Sequence, residues 1–353
     1  KAKLGSIPDL VVIKAPTDTP FNRTTIQQPF VAMIYTNQLR AYCPNFAYVY
    51  GSFLCSPPIA DAQYREVCGF CLHNIYRQSS NHLVYENVPG PSLVQWIQTG
   101  LEENTLTTGR LLNIILQLSL SLELANSKVI PGLDGFQHGD ANIRNVIIRE
   151  LPEIGAIYWP QRKRYLKVGK IATWIDYGTA HIRWQGQDYY RTGIEDNSTG
   201  PELLPIADIF RILSNVISQI YLFYWHNLQN TNCIDLLESL NALYRFFFQD
   251  QDDMNAYMTK LIEGSLLGYL PYDERYLSLT ISDFIDLILK MHDFRTYVHF
   301  MWRDKNNAPI ISCAADDTNC SSLNDYLLGT VFKDGTNWPE PRTIFELADQ
   351  AGI

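Results

Sequence analysis

The sequence lacks the features that mark several classes of protein. Lysine and arginine (28) are outnumbered by aspartate and glutamate (37), so the formal net charge is −9 and there is no excess of cations to neutralise nucleic-acid phosphates. We therefore expect no nucleic-acid partner. Apolar runs also fall short of the roughly 18 residues that cross a bilayer, because Ser and Gln interrupt the longest candidate, around 216–225. We expect a soluble protein without a membrane span.

Cysteine is scarce as well. The chain has seven cysteines, an odd number for a disulfide framework, and its 353 residues can bury a large core without covalent cross-links. These features favour a reducing, cytoplasmic compartment. Cys43, Cys55, Cys68 and Cys71 could form a tetrahedral thiolate zinc site. Alternatively they are buried reduced thiols, because their separations are irregular and His73 competes as a ligand.

The hydrophobic pattern changes along the chain and indicates an α+β fold. The first ninety residues contain short apolar runs bounded by Pro, Asn or Gly, which predict strands, and one helical pattern that begins near Pro29. After the linker Pro89–Pro91 the period becomes helical. The predicted strands of the first part cover 10–14, 46–54 and 82–86; the predicted helices of the second cover 111–125, 206–225 and three or four more segments up to about residue 292.

Two further predicted strands, 145–149 and 171–176, interrupt the helical part and flank a loop-like insert. The insert carries the basic cluster Arg162-Lys163-Arg164, with Lys167 and Lys170 nearby. This cluster could dock an acidic partner, or it could be a solvated hairpin face. The last fifty residues mix Asn, Asp, Pro and Gly until a predicted helix at 343–351, and they are expected to be an extension that wraps over the core.

Polar residues with a defined spacing follow the first long helix of the second part. The segment FQHGDANIRNVII places His138, Asp140 and Asn145 before a predicted strand, and the next strand leads into IDYG, with Asp176 and Gly178. Phosphoryl transfer needs a carboxylate near the acceptor hydroxyl, oxygen ligands for magnesium and a cation for the nucleotide phosphates. These residues supply the first two requirements. Alternatively, they are ordinary turn residues next to strands.

The two motifs resemble the H-R-D-x-x-x-x-N and D-F-G motifs of the protein-kinase-like superfamily. HGD and IDYG are closer to the aminoglycoside and choline kinase branches and to kinase-like proteins of large DNA viruses. The spacing of PNFAYVYGSFLC before YENVPG resembles the viral group most. The resemblance covers roughly residues 8 to 295.

The resemblance implies a bilobal protein-kinase-like fold, with a sheet-rich N-lobe at 1–88, a helical C-lobe at 89–300 and a C-terminal extension at 301–353. It implies an ATP- and magnesium-dependent phosphotransferase that acts on protein Ser, Thr or Tyr. A viral protein of this type would act in the host cytoplasm or the virion, on a protein substrate or a virion partner.

The resemblance also assigns roles to the polar residues of the second part. Asp140 would orient or deprotonate the acceptor hydroxyl, and His138 would brace the loop. Asn145 and Asp176 would hold magnesium. Arg144 lies where tyrosine kinases have an arginine, although an arginine at such a position is more often a surface or structural residue.

In the first part, Lys14 ends an apolar strand as the phosphate-binding lysine of kinases does, or it is a solvated lysine at a strand end. Backbone groups of Glu86 and Val88 could hydrogen-bond adenine, unless the segment is only an edge strand. Gln28 is a candidate for the place of the helical glutamate that usually pairs with the lysine. Asp208 would brace the catalytic loop, or it is an acid in a first helical turn.

The chain departs from the kinase pattern in three places. Gly5 is the sole glycine before Lys14, so the phosphate-covering hairpin is truncated or degenerate, and no glutamate occurs before Glu66. Gly139 replaces the arginine that binds a phosphorylated activation loop. Two alternatives to a protein kinase therefore stay open, namely a pseudokinase that serves as a scaffold or virion component and a small-molecule kinase of the aminoglycoside or choline kinase type.

Overall fold

The structure is a computed structural model that describes part of the chain. The described residues are 2–3, 10–14, 35–40, 43–55, 80–128, 131–159, 164–189, 203–227, 231–263 and 274–291. Gln28, Cys68, Cys71 and the predicted helix at 343–351 lie outside them. Within the described residues the protein combines small antiparallel sheets with helices, as an α+β fold does.

The strands of the first part form one antiparallel sheet. It contains β1 (Ala2–Lys3), β2 (Leu10–Lys14), β3 (Val49–Cys55) and β4 (Ser80–Glu86) in the order β1-β2-β4-β3. The three predicted strands are therefore confirmed. The β2–β4 register pairs Lys14 with Leu83 and places Lys14 at a strand end. Residues 35–40 are helical (α1), which confirms the described portion of the predicted helix.

Six longer helices form most of the described second part, and side-chain caps fix where several of them begin. Ser92 and Gln95 form a reciprocal capping box at the first helix, while Thr107, Asp250 and Thr280 cap three others. The second helix is buried along most of its length and lies at the centre of the core. The helices are α2 (Leu93–Glu102), α3 (Thr108–Ala125), α4 (Ile206–His226), α5 (Thr231–Tyr244), α6 (Gln251–Ile262) and α7 (Ile281–Lys290).

Helix α4 is the one described helix that is long and apolar enough to cross a membrane by length and composition. The expectation that apolar segments fall short of this length was therefore wrong for α4, which is long and apolar enough despite its Ser and Gln residues. The helix packs against α2, α5 and α6, and 56% of its apolar 18-residue stretch is buried inside the protein. Core helices of soluble proteins meet the same criteria, so this feature is weak evidence for a membrane span.

The remaining strands form a hairpin and a small sheet. The hairpin pairs β6 (Val146–Trp159) with β7 (Arg164–Trp174), and the sheet contains β5 (Leu133–Gln137), β8 (His181–Trp184) and β9 (Gln187–Tyr189). The two predicted strands are confirmed at 146–149 and 171–174, but the loop-like insert between them was wrong. The first strand continues to Trp159, and the second begins at Arg164. The apolar residues Ile157, Trp159, Leu166 and Val168 are buried, and their alternation explains the extended pairing.

The first sheet and the hairpin are connected by buried hydrogen bonds. The N–H of Ala47 donates to the carbonyl of Trp174 at 3.0 Å, and the N–H of Trp174 donates to Asn45 at 2.8 Å. The Asn45 amide nitrogen donates to the carbonyl of Ala172 at 2.7 Å. These bonds hold the segment before β3 against the end of β7, close to the IDYG motif.

A buried ionic cluster makes a second connection, and we call Arg40, Glu86 and Arg149 the charge triad. Arg40 on α1 donates to both carboxylate oxygens of Glu86, at 2.7 and 3.2 Å, and Arg149 on β6 donates to the same carboxylate. The N–H of Tyr48 adds a bond of 3.2 Å. Burial opposes ionisation of Glu86, yet the two arginines lower its pKa to about 2.

Candidate functional site

Asp208, in the first turn of α4, holds the loop between β5 and β6 through its carboxylate. The backbone N–H groups of His138 and Gly139 donate to its two carboxylate oxygens at 2.6 and 3.1 Å. Gly139 has φ +74°, a conformation that glycine adopts without steric cost. Burial raises the pKa of Asp208 to about 7, against the effect of these two donors. Asp208 thus contacts the loop in the way expected of a residue that braces it.

His138 connects the loop to the IDYG segment. Its Nε2 lies 2.9 Å from the carbonyl of Ile175, and its Nδ1 lies 3.3 Å from the N–H of Asp140. Since Nδ1 accepts a hydrogen bond from this N–H, it carries no hydrogen, and Nε2 carries the ring hydrogen and donates it to the carbonyl of Ile175. The ring is therefore in the neutral form. Burial lowers the pKa of His138, which agrees with this assignment. The ring is fully buried and therefore positions the loop without facing a substrate.

The Asp140 carboxylate is oriented by two amide donors and one ion pair. Its Oδ1 accepts from Asn142 at 3.1 Å and lies 2.9 Å from a guanidinium nitrogen of Arg211, and its Oδ2 accepts from the amide of Asn145 at 2.8 Å. The Asp140 side chain is still 37% exposed. A carboxylate held by several donors and open to solvent suits the orientation of an incoming hydroxyl.

Asn145 is joined to the residue before Asp176, because the N–H of Ile175 donates to the carbonyl of Asn145 at 3.0 Å. The amide nitrogen of Asn145 is used by Asp140, which leaves its oxygen as the group that can bind a cation. Asp176 has φ +61°, a left-handed conformation that aspartate tolerates better than most residues. One amide oxygen and one carboxylate are ligands that Mg²⁺ accepts, so the donor set fits the predicted metal.

Lys14 forms an ion pair with Asp176, although the two residues are 162 positions apart. Both side chains are partly exposed, at 31% and 40%. Burial opposes ionisation of Asp176, but Lys14, His138 and the N–H of Gly178 together hold its pKa below its usual range. A Cβ on Gly178 would lie 3.2 Å from both the lysine nitrogen and the Asp176 oxygen, so a glycine leaves room for this pair.

Tyr177 lies in the core behind the motif. Its hydroxyl donates to the carbonyl of Trp174 at 2.7 Å and accepts from the N–H of Ala47 at 2.9 Å. Its ring packs at centroid distances of 6.3 Å from Phe136 and 5.5 Å from His138. Tyr177 thus fills an aromatic cavity and anchors the strand end that presents Asp176.

The structure places the other predicted residues apart from this cluster. Arg144 is exposed. The Glu86 side chain belongs to the charge triad, so only its backbone and that of half-buried Val88 can serve adenine. Gln28, as noted, falls in a range that is not described.

The zinc prediction can be examined at one ligand. Cys43 is buried and unpaired by a disulfide, and burial raises the pKa of its thiol to about 12, which favours a reduced thiol over a thiolate ligand. Cys55 lies at the end of β3, while Cys68 and Cys71 are outside the described ranges. In the part of the chain that the structure describes, no group of three or more His, Cys, Asp or Glu side chains is placed to hold a metal ion.

Sequence reasoning missed Arg211, which donates to the carbonyl of Gly139 at 3.1 Å and pairs with Asp140. A signal was present, because Arg211 follows Asp208 by three residues on a predicted helix and must lie on the same face. The charge triad left no comparable signal, since its members are 46 and 63 positions apart. No known protein-family model matches the chain, and no curated protein matches it either.

Proposed function

We propose that this protein is an ATP- and magnesium-dependent phosphotransferase with a bilobal protein-kinase-like fold. Residues 1–88 would be the N-lobe, residues 89–300 the C-lobe and residues 301–353 an extension. One observation carries the proposal: residues 14, 138–145 and 176 are distant in the sequence and are joined by direct contacts into one cluster. This cluster contains the carboxylate, the oxygen ligands and the cation that phosphoryl transfer requires.

Each residue has a distinct task in the proposed reaction. Asp140 accepts a hydrogen bond from the acceptor hydroxyl and aligns its oxygen with the γ-phosphorus of ATP. The acceptor oxygen forms a bond to phosphorus, the bond from phosphorus to the β,γ-bridging oxygen breaks, and ADP leaves with the electron pair. The hydroxyl proton passes to Asp140 and then to solvent. His138 does not exchange protons, because both of its nitrogens are occupied by the backbone.

Lys14 and the residues that follow β4 would hold the nucleotide. Lys14 neutralises charge on the phosphates, and the backbone of Glu86 and Val88 meets the adenine edge. Asn145 and Asp176 would hold Mg²⁺, which neutralises phosphate charge and orients the phosphates when it is bound.

The acceptor that we propose is a Ser, Thr or Tyr hydroxyl of a protein, including virion proteins. The site is partly exposed at Asp140, as a macromolecular acceptor requires. The motif spacing that resembles kinase-like proteins of large DNA viruses supports action in a host cytoplasm or in a virion.

The Lys14–Asp176 ion pair favours one second candidate, an inactive relative that serves as a scaffold. The pair uses the phosphate-binding lysine and a metal-binding carboxylate for each other, and no glutamate precedes residue 66 to hold the lysine instead. A protein in which this pair persists would bind nucleotide weakly and transfer no phosphate.

Radiolabelled γ-phosphate transfer to protein and small-molecule acceptors tests the proposal, together with nucleotide-dependent melting. We expect Asp140→Asn to lower the transfer rate by about 10²- to 10⁴-fold, because it removes the carboxylate that orients the hydroxyl. Asp235→Asn changes an exposed aspartate on α5 and should leave the rate unchanged. A nucleotide-dependent melting shift without phosphate transfer would identify the scaffold. Transfer to metabolites alone would show that the acceptor is a small molecule. The absence of both a melting shift and transfer would refute nucleotide binding.

A further inference from the structure

Arg211 extends the brace beneath the catalytic loop. It lies one turn after Asp208 on α4, so both side chains project from the same face of the helix. Asp208 accepts from the N–H groups of His138 and Gly139, while Arg211 donates to the carbonyl of Gly139 at 3.1 Å and forms an ion pair with Oδ1 of Asp140 at 2.9 Å. One helical turn thus holds three consecutive loop residues through one carboxylate and one guanidinium.

These contacts determine which part of the Asp140 carboxylate remains available. An ionised carboxylate has about four acceptor positions. Asn142 uses one position on Oδ1 and Asn145 uses one on Oδ2, while Arg211 lies 2.9 Å from Oδ1 as an ion pair. The side chain is 37% exposed. Because the guanidinium crowds Oδ1, its contact directs an incoming hydroxyl to Oδ2.

Arg211 also supplies a charge that the proposed reaction needs. A carboxylate that orients the acceptor must lie close to the anionic γ-phosphate, and the two like charges repel each other. Arg211 is 14% exposed and carries a positive charge within 2.9 Å of Asp140. Its charge therefore offsets that of Asp140 next to the anionic phosphate.

We propose that Arg211 is a positioning residue of the phosphotransferase site: it holds Asp140 with Oδ2 open to the acceptor and offsets the carboxylate charge as phosphate is transferred. This inference rests on the proposed function. Removal of Arg211 should lower kcat by about 10²-fold, the effect of misplacing a catalytic group by about 1 Å. KM for ATP should be unchanged, because Lys14 and Asp176 are held by other contacts.

The test measures kcat and KM for Arg211→Ala and Arg211→Lys, with and without added guanidinium ion. Arg110→Ala is the matched control, since Arg110 lies near the start of α3 and, like Arg211, donates to a loop carbonyl, that of Thr105, at 2.8 Å. We expect guanidinium ion to restore part of the activity of Arg211→Ala. Arg211→Lys should be intermediate, because an ammonium keeps the charge but cannot bridge Gly139 and Asp140 as a planar fork does.

The outcomes separate this inference from the function on which it rests. A wild-type protein that transfers no phosphate overturns both. Active wild type with equal kcat for Arg211→Ala and Arg110→Ala overturns the inference alone, as does a loss confined to KM. Melting curves show whether each variant is folded; if Arg211→Ala is not, the decision passes to Arg211→Lys, and wild-type kcat in that variant refutes the positioning role.

Discussion

The charge triad predicts that Glu86→Gln destabilises the protein in a pH-dependent way. Glutamine keeps the shape of the side chain but removes the negative charge between two arginines, and Arg40 has no exposed side-chain surface. Breaking a buried ion pair leaves an uncompensated charge, and this typically costs about 3–5 kcal/mol.

The lowered pKa of Glu86 gives a second measure of how strongly its charge stabilises the folded protein. The pKa falls from an ordinary value of 4.5 to about 2 in the folded protein. At about 1.4 kcal/mol per pKa unit, the difference corresponds to about 3 kcal/mol of stabilisation by the charged form. A lowered pKa means that this stabilisation is fully present above pH 4.5 and is lost as the pH falls from 4.5 towards 2.

The assay is urea unfolding of wild type and Glu86→Gln at pH 7, 5, 4 and 3. We expect a difference in unfolding free energy of about 3 kcal/mol at pH 7 that narrows steadily below pH 4.5. Glu150→Gln is the control, because Glu150 pairs with Lys170 on the surface, where an ion pair contributes below about 1 kcal/mol. A Glu86→Gln effect no larger than that of the control, or one that is constant from pH 7 to pH 3, would refute this account of the triad.

Two other substitutions probe the site. Tyr177→Phe should lower the free energy of unfolding, measured with urea, by about 1 kcal/mol. It deletes a hydroxyl with two hydrogen-bond partners, but the N–H of Ala47 keeps its 3.0 Å bond to the carbonyl of Trp174. A decrease above about 3 kcal/mol would contradict this expectation. The raised pKa of Asp208 means that the folded protein holds an extra proton between about pH 4 and 7. As the pH rises through that range, the melting temperature of the wild type should therefore fall relative to that of Asp208→Asn. Parallel melting profiles of the two proteins would contradict this assignment.

The part of the site that sequence reasoning could anticipate is local. His138, Asp140 and Asn145 contact one another across two to five positions, and such contacts follow from the spacing of a short loop. Strands β2, β3 and β4 and helices α3 and α4 were predictable for a similar reason, since each depends on its own periodicity. The short strands β5, β8 and β9 and helix α2 were not predicted. The length of the hairpin was underestimated because the alternation of buried apolar residues from Ile157 to Val168 was not recognised beside a basic stretch of sequence.

The long-range contacts could not be anticipated in this way. Lys14 was expected to meet phosphate, but its partner in the structure is Asp176, and no local pattern relates the two. The same holds for the pairing of Glu86 with Arg40 and Arg149. The packing of sheet, helix and hairpin decides which charged side chains form ion pairs. The hydrophobic periodicity of a single sequence gives no information on that packing.

For the proposed phosphotransferase, the Lys14–Asp176 pair would favour ligands that carry both signs of charge. An anion that captures Lys14 alone would leave Asp176 without its counter-ion, and a cation that captures Asp176 alone would leave Lys14 without one. Each ligand would therefore remove the obstacle to the other, and by reciprocity the two affinities would rise by the same factor. The proposed site would thus discriminate against free nucleotide and free metal alike, in favour of the neutralised complex of the two.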